Sequence, residues 1–184
     1  VSGGPDSMAM LRFFIKNKSL FSFPFLCATV DHSIREEGRE EAAAVKKYCE
    51  ENGVPFEGIK VDIPGTCPKN VSTETYSRDV RYSFFDSLRE KYGFSHIATA
   101  HTSDDNAETV LMNIIRGTAL SGLCGIPPLR DDLVARPLLC CEKKELIAYC
   151  NEEKIAYFTD KTNGENIYRR NVVRNVIIPE LEKE

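Results

Sequence analysis

Val1-Ser2-Gly3-Gly4-Pro5-Asp6-Ser7 is the stretch on which the reading of this chain turns. It reads as the last residue of a buried strand, a two-glycine turn, and the first turn of a helix running through Met8-Ala9-Met10-Leu11 towards Phe14. Gly3 and Gly4 can adopt backbone angles closed to other residues, so consecutive N–H groups can converge on one point. Pro5 suits the first helical position, where a missing N–H costs nothing. Free amides and the positive end of a helix dipole then face one spot, which suits a phosphate. Asp6 sharpens this reading: a carboxylate beside phosphate oxygens repels them unless a cation intervenes, which implies Mg²⁺ held at Asp6. Ser2 and Ser7 add hydroxyl donors. No Gly-Lys-Ser/Thr follows, so this is not a Walker loop. A plain glycine turn with Ser or Asp capping a helix competes on these residues alone.

Further out, the chain has the size and make-up of one globular domain: 184 residues, 42% hydrophobic and 28% charged. No run is long enough to span a membrane and no secretory signal is visible, so a soluble, cytoplasmic protein is expected. The seven cysteines include no C-x-x-C pair and read as reduced, mostly buried small side chains, which disfavours zinc or an iron–sulfur cluster. A net charge of −4 argues mildly against general nucleic-acid binding. Because Val1 is not an initiator Met and the strand leading into the glycine turn is absent, the chain is expected to be truncated.

Phe23 to Val30 is a nearly continuous apolar run ending at Asp31-His32, the mark of a strand buried on both faces of a parallel sheet. A helix is expected from Arg35 to Glu51, a strand from Phe56 to Ile63, a loop over Pro64–Pro68, and a long helix from Thr73 to Tyr92 carrying Arg78, Arg81 and Arg89. His96 to His101 reads as another buried strand, and Ser103 as the cap of a helix from Asp104 to Arg116. After a glycine-rich stretch to Pro128 come a short strand over Leu133–Leu139, a helix from Glu142 to Glu153, a short strand over Ala156–Phe158, and a basic helix from Tyr168 to Glu184. This alternation predicts an α/β fold: an open parallel sheet of about five strands with helices on both faces, Rossmann-like. Ligands of such sheets bind beyond the carboxyl ends of the strands, and three strands here end in polar clusters: Ser2-Gly3-Gly4, Asp31-His32, and His101 to Asp105.

Asp31-His32-Ser33-Ile34-Arg35 sits where an adenosine could lie, or is a helix-initiating loop capped by Asp31. On a helix, Asp105 and Glu108 share a face, as do Asp104 and Glu108. Carboxylates so close call for a cation, either Mg²⁺ or the ammonium of a small substrate; negative charge favouring a helix N-terminus explains Asp104 and Asp105 but Glu108 less well. His101 fits a buried, hydrogen-bonded histidine better than a metal ligand. Arg116 to Ile126 is a glycine-rich loop, either a substrate cover or a plain connection. Lys161, Arg169, Arg170 and Arg174 against Glu165 give a local charge of four minus one, or +3, able to meet an RNA backbone or simply a solvated face.

Taken together these residues carry a resemblance. Ser2-Gly3-Gly4-Pro5-Asp6-Ser7 resembles the pyrophosphatase loop of the N-type ATP pyrophosphatases, the PP-loop superfamily with the adenine nucleotide alpha hydrolase-like fold. The wider set is similar to the bacterial tRNA(Ile)-lysidine synthetase family: Asp31-His32 with Arg35, Arg78 with Arg81-Tyr82, His101 to Thr109, Arg116-Gly117 with Gly122 to Ile126, Arg136-Pro137-Leu138-Leu139, and Asp160-Lys161-Thr162-Asn163 leading to Arg170-Asn171 and Arg174. The chain departs from that pattern at Thr102, where a second His is usual, and at Asn106, where Gln is common.

The resemblance implies an N-terminal ATP pyrophosphatase domain over 1–184, with 160–184 leading towards further domains that grip the tRNA. It implies ATP and Mg²⁺ at Ser2, Gly3, Gly4, Pro5, Asp6, Ser7, Asp31, His32, Arg35 and His101, with Asp6 as the metal ligand. The carbonyl oxygen of the wobble cytidine in the CAU anticodon of tRNA(Ile) would attack the α-phosphate, and the side-chain amine of free L-lysine would then displace AMP to give lysidine. Asp6, Asp105 and Glu108 are the expected catalytic residues, Asp105 and Glu108 the expected lysine site, and Arg81, Arg116, Arg170 and Arg174 the expected tRNA contacts. A homodimer is compatible with it. The competing functions are another PP-loop tRNA-modifying enzyme that thiolates, and an ATP-binding module without chemistry.

Overall fold

The computed structural model describes residues 1–33, 37–159 and 169–183, without the side chains of Glu37 and Ser121. Arg35 of the expected nucleotide site, and Asp160 to Tyr168 with Lys161 and Glu165, lie outside the described residues.

The glycine turn leads into helix α1 (Pro5–Lys16), with Pro in its first turn and Met8, Ala9, Met10 and Leu11 buried. Strand β1 (Cys27–Asp31) runs parallel to β2 (Phe56–Lys60), joined by helix α2 (Glu37–Glu51) packed over them. A helical turn, α3 (Ile63–Thr66), replaces the expected loop because the Asp62 carboxylate caps it by accepting from Gly65 N. The long helix α4 (Thr73–Tyr92) starts on a Ser72 cap and stops at Gly93, whose φ of +69° closes the helix in the left-handed region. Then follow β3 (Ile97–Ala98), α5 (Ser103–Ile115), the single turn α6 (Leu120–Leu123), β4 (Leu129–Arg130), β5 (Val134–Ala135) and α7 (Lys143–Glu152). A helical segment closes the described chain: α8 (Arg169–Val172), a wider π turn over Val173–Ile177, and α9 (Ile178–Leu181).

The expected single sheet of about five strands is corrected. There are two small sheets, a parallel β1-β2 pair and a three-stranded sheet in the order β3-β5-β4, with β4 antiparallel to β5. Val1 lies along the edge of β1 away from β2: its N donates to Ala28 O at 2.5 Å and its carbonyl accepts from Thr29 Oγ1 at 2.8 Å. Among the described residues no strand joins β1 to β3; both border one cleft of about 1310 Å³ instead. The strand expected over His96–His101 keeps ladder geometry for only two residues, as does the one expected over Leu133–Leu139. Burial along β1 accordingly alternates: Cys27, Thr29 and Asp31 are buried while Ala28 and Val30 face the cleft. Ala156–Phe158 forms no strand, but Phe158 N donates to Gly3 O at 2.9 Å and clamps the glycine turn from behind.

Helix α7 packs on α1, and their shared core joins Met8, Leu11, Val45, Cys49, Leu146 and Cys150. At ~25 cal/mol per Å² of apolar surface removed from water, this cluster is the main favourable term holding the glycine-turn half together. Glu153 ties the two helices at the surface, accepting from Arg12 at 3.0 Å and pairing with Lys16. No helix among the described residues is long and apolar enough to cross a membrane.

Candidate active site

The glycine turn is crowded behind and open in front. Gly3 has a φ of +84°, and a Cβ there would press on the Phe158 ring at 3.3 Å. At Gly4 a Cβ would meet only Ser2 Oγ, at 3.7 Å, on the side facing the cleft. The Ser7 hydroxyl, expected to face a ligand, laces the loop instead: it donates to Gly4 O at 3.0 Å and accepts from Ser2 N at 3.1 Å. Ser2 remains exposed. No side chain caps the N-terminus of α1, so its leading amides keep their capacity for an anion.

Asp6, in that first turn, is the residue whose chemistry is unfinished. Its Oδ1 is buried with no hydrogen-bond partner among the described residues. Burial pushes its carboxyl above the usual carboxylate range, with Asp105 and Asp104 adding to the rise and Lys143 opposing it. An orphaned acceptor of this kind fits a Mg²⁺ ion. Among the described residues no three His, Cys, Asp or Glu side chains gather as a metal-holding group, so a cation at Asp6 would complete its shell with phosphate oxygens and water.

Lys143 is the functional candidate that sequence reasoning missed. Its Nζ lies 3.5 Å from Asp6 Oδ2, and its backbone N donates to Asp104 Oδ2 at 2.8 Å. It thereby joins the glycine turn, the start of α5 and the start of α7. Nothing near it in the sequence marks it, because its partners lie more than a hundred residues away in one case and about forty in the other.

Helix α5 is capped one residue earlier than expected. Thr102, not Ser103, is the cap: Thr102 Oγ1 accepts from Asp105 N and the Asp105 carboxylate accepts from Thr102 N, a reciprocal box. Thr102, where a second His is usual in the resembled family, is thus a structural residue here. Asp105 spends one oxygen on this cap and the other on Arg170 Nη2, at 2.9 Å. Glu108, one turn on, is 1% exposed and is gripped by two guanidiniums: Arg170 Nε at 2.5 Å and Arg174 Nε at 2.6 Å. The acidic pair therefore has a cation, and it is the chain's own. This also relocates Arg170 and Arg174: the hydrogen bond to Glu108 raises the Arg174 pKa and holds that side chain inward.

Around the rest of the cleft, Asp31 is buried and its Oδ1 accepts from Ser33 N at 2.8 Å, a local turn. His32 Nε2 lies 3.3 Å from Arg81 Nη2, and burial, then Arg81, lowers its pKa. His101 hydrogen-bonds Thr99 Oγ1 at 3.0 Å, and burial lowers its pKa despite the opposing pull of Asp105. Both imidazoles are neutral at pH 7. Arg78 and Arg130 stack over the Tyr82 ring, at 4.9 and 4.6 Å from its centre, with Arg78 and Tyr82 lining the cleft. Arg116 lies elsewhere, at a separate apolar cavity of about 260 Å³ between α5 and the closing helical segment. Asn106 Oδ1 accepts from Ile126 N at 2.7 Å and so straps the glycine-rich loop onto α5.

The structure thus brings Ser2, Gly4, Asp6, Ser7, His32, Arg81, His101, Asp105 and Arg170 to one cleft, sets Glu108 and Arg174 behind its acidic wall, and leaves Arg116 outside. A glycine turn, an uncapped helix start and an orphaned carboxylate at one mouth of an α/β domain define a phosphate-loop protein of the non-Walker class. The chain belongs to the PP-loop domain family, whose model matches residues 1–181. It is similar to tRNA(Ile)-lysidine synthase of Clostridium tetani (36% identical over 185 residues), of Clostridium acetobutylicum (39% over 185) and of Thermosipho africanus (39% over 180). These matches cover 97 to 100% of the chain but 40 to 42% of the relatives, so the chain spans well under half their length. Among solved structures it resembles the U34-tRNA thiolase NcsA from Methanococcus maripaludis, with a TM-score of 0.79 at 18% identity, covering all of this chain and 65% of that one. That likeness speaks to the fold alone.

Proposed function

We propose that this chain is the ATP-using domain of a tRNA(Ile)-lysidine synthase, adenylating the wobble cytidine of the CAU anticodon and passing it to free L-lysine. The observation that carries this is that Asp6, with its orphaned oxygen, and the Asp105/Arg170 pair line one cleft. The cytidine carbonyl oxygen attacks the α-phosphorus and pyrophosphate leaves; the lysine side-chain amine then attacks the activated ring carbon and AMP leaves. The α1 amides and Lys143 would hold the departing pyrophosphate, and Asp6 would hold a magnesium ion, which when bound would supply positive charge against it.

The attacking amine must be neutral, so its proton passes to a base or to water before it attacks. Asp105 and Arg170 fit the other end of the amino acid better: Arg170 pairs with the α-carboxylate and Asp105 with the α-ammonium, leaving the side-chain amine free. Glu108 and Arg174 keep Arg170 in place. Arg78, Arg81 and Arg130 supply phosphate contacts to the RNA. The thiolating alternative would draw on paired cysteines for a cluster or persulfide, and the vicinal Cys140-Cys141 pair suits neither.

The test supplies ATP, Mg²⁺, L-lysine and a tRNA(Ile) transcript bearing CAU to the full-length protein. Lysine-dependent AMP release with a lysyl adduct on the cytidine is the expected result. Sulfur incorporation, or ATP binding without turnover, overturns the proposal.

A further inference from the structure

Cys140 and Cys141 take no part in the chemistry above, yet their place in the fold is specific. Their sulfurs lie 3.9 Å apart, with Cys140 exposed and Cys141 half-buried. The Cys141 carbonyl is the anchor of the acidic helix: it accepts from Ser103 N at 3.0 Å and from Ser103 Oγ at 2.9 Å. Two residues on, Lys143 reaches Asp104 through its backbone and Asp6 through its ammonium. Cys141, which carries the second thiol, is therefore a joint between the start of α5 and the start of α7. Cys27, Cys49 and Cys150 are sealed in the core, and Cys67 and Cys124 stand on other segments.

We propose that Cys140-Cys141 is a redox modification site, a vicinal dithiol that a low-molecular-weight disulfide converts to a ring disulfide, loosening the joint and weakening the nucleotide corner. The exposed Cys140 reacts first. Its thiolate attacks the small disulfide, forming a mixed disulfide and releasing one thiolate. The Cys141 thiol, whose pKa burial raises, gives up its proton to solvent and attacks the Cys140 sulfur, releasing the second. Two protein thiols and one small disulfide become one protein disulfide and two small thiols, so atoms and electrons balance. Closing a ring through a single intervening peptide strains it, and a strained, exposed disulfide is readily reduced again, which makes the site reversible. The same closure turns the 140–141 peptide, breaking the bond from Cys141 N to Leu138 O (2.9 Å), and the turn is passed to the adjoining 141–142 peptide, whose carbonyl holds Ser103.

The experiment treats the full-length protein with oxidised glutathione, maps the product by mass spectrometry after alkylation, and measures ATP affinity before and after. The expected product is a peptide holding both cysteines that has lost two hydrogens, with ATP binding weakened about tenfold and restored by dithiothreitol. Cys140→Ser and Cys141→Ser should each prevent the response while leaving untreated ATP affinity intact. A glutathione adduct that persists on Cys140, a disulfide mapped to other cysteines, or a ring that leaves ATP affinity unchanged overturns the proposal. The affinity readout rests on the function proposed above, whereas the mapped product does not; a reduced protein with no ATP affinity would sink that function and leave the ring to be judged by mass alone.

Discussion

Two acidic corners meet at one cleft, and they differ in how their charge is met. At the glycine turn, Asp6 pairs one oxygen with Lys143, while its other, buried oxygen has no partner among the described residues and burial pushes the carboxyl up. On α5, Glu108 is met in full by two guanidiniums, while Asp105 at the cleft wall holds a helix cap and Arg170. The first corner is unfinished without an external cation. In the second, the Glu108 charge is met by the chain. Identical side chains thus serve opposite purposes, because the cost of a buried charge depends on what stands opposite it.

Asp6→Asn is the change that tests this contrast hardest. ATP-dependent turnover should fall about a thousandfold, near 4 kcal/mol of lost transition-state stabilisation, measured as AMP release. Stability should move the other way. A carboxyl whose folded pKa lies above its unfolded value contributes stability below the ordinary carboxylate range and loses it as pH rises through the folded value. At pH 7 the ionised Asp6 is therefore a burden, and Asp6→Asn should unfold at higher denaturant than the parent, with the gain vanishing near pH 4. A drop in stability at pH 7 would mean that the Lys143 pair at Asp6 Oδ2 outweighs the cost of burying the charge.

Glu108→Gln should behave inversely. Removing the buried charge between two guanidiniums should cost about 2–4 kcal/mol by denaturant unfolding. It should also speed amide exchange over 169–183, which Glu108 anchors. Unchanged exchange there would detach Arg170 and Arg174 from the acidic corner. Lys143→Ala sits between the corners: about tenfold weaker ATP affinity is expected with folding retained, read by titration calorimetry. The effect should shrink in an Asp6→Asn background, since the two residues share one contact.

The smallest effect is one of pH. His32 and His101 have folded pKa values below the ordinary 6.5, so the stability they contribute is present above that value and is lost as pH falls through the folded ones. Unfolding midpoints followed downward from pH 7 should decline, and His101→Gln should flatten the decline. A pH-independent midpoint over that range would place both imidazoles in solvent.

Much of this was legible in the chain itself. The glycine turn, the limits of α4 and the acidic run that opens α5 all appear as local signals, since turns, caps and helix periodicity are settled by neighbours a few residues apart. Asp6 could be picked out because its charge contradicts the phosphate-binding character of the residues around it. What the chain could not disclose was who stands opposite whom. That Glu108 is met by Arg170 and Arg174, and that Lys143 reaches Asp6, are facts about residues distant in sequence. Local patterns carry residue type and period; partners, and with them the burial that decides a carboxylate's chemistry, exist only once the elements have packed.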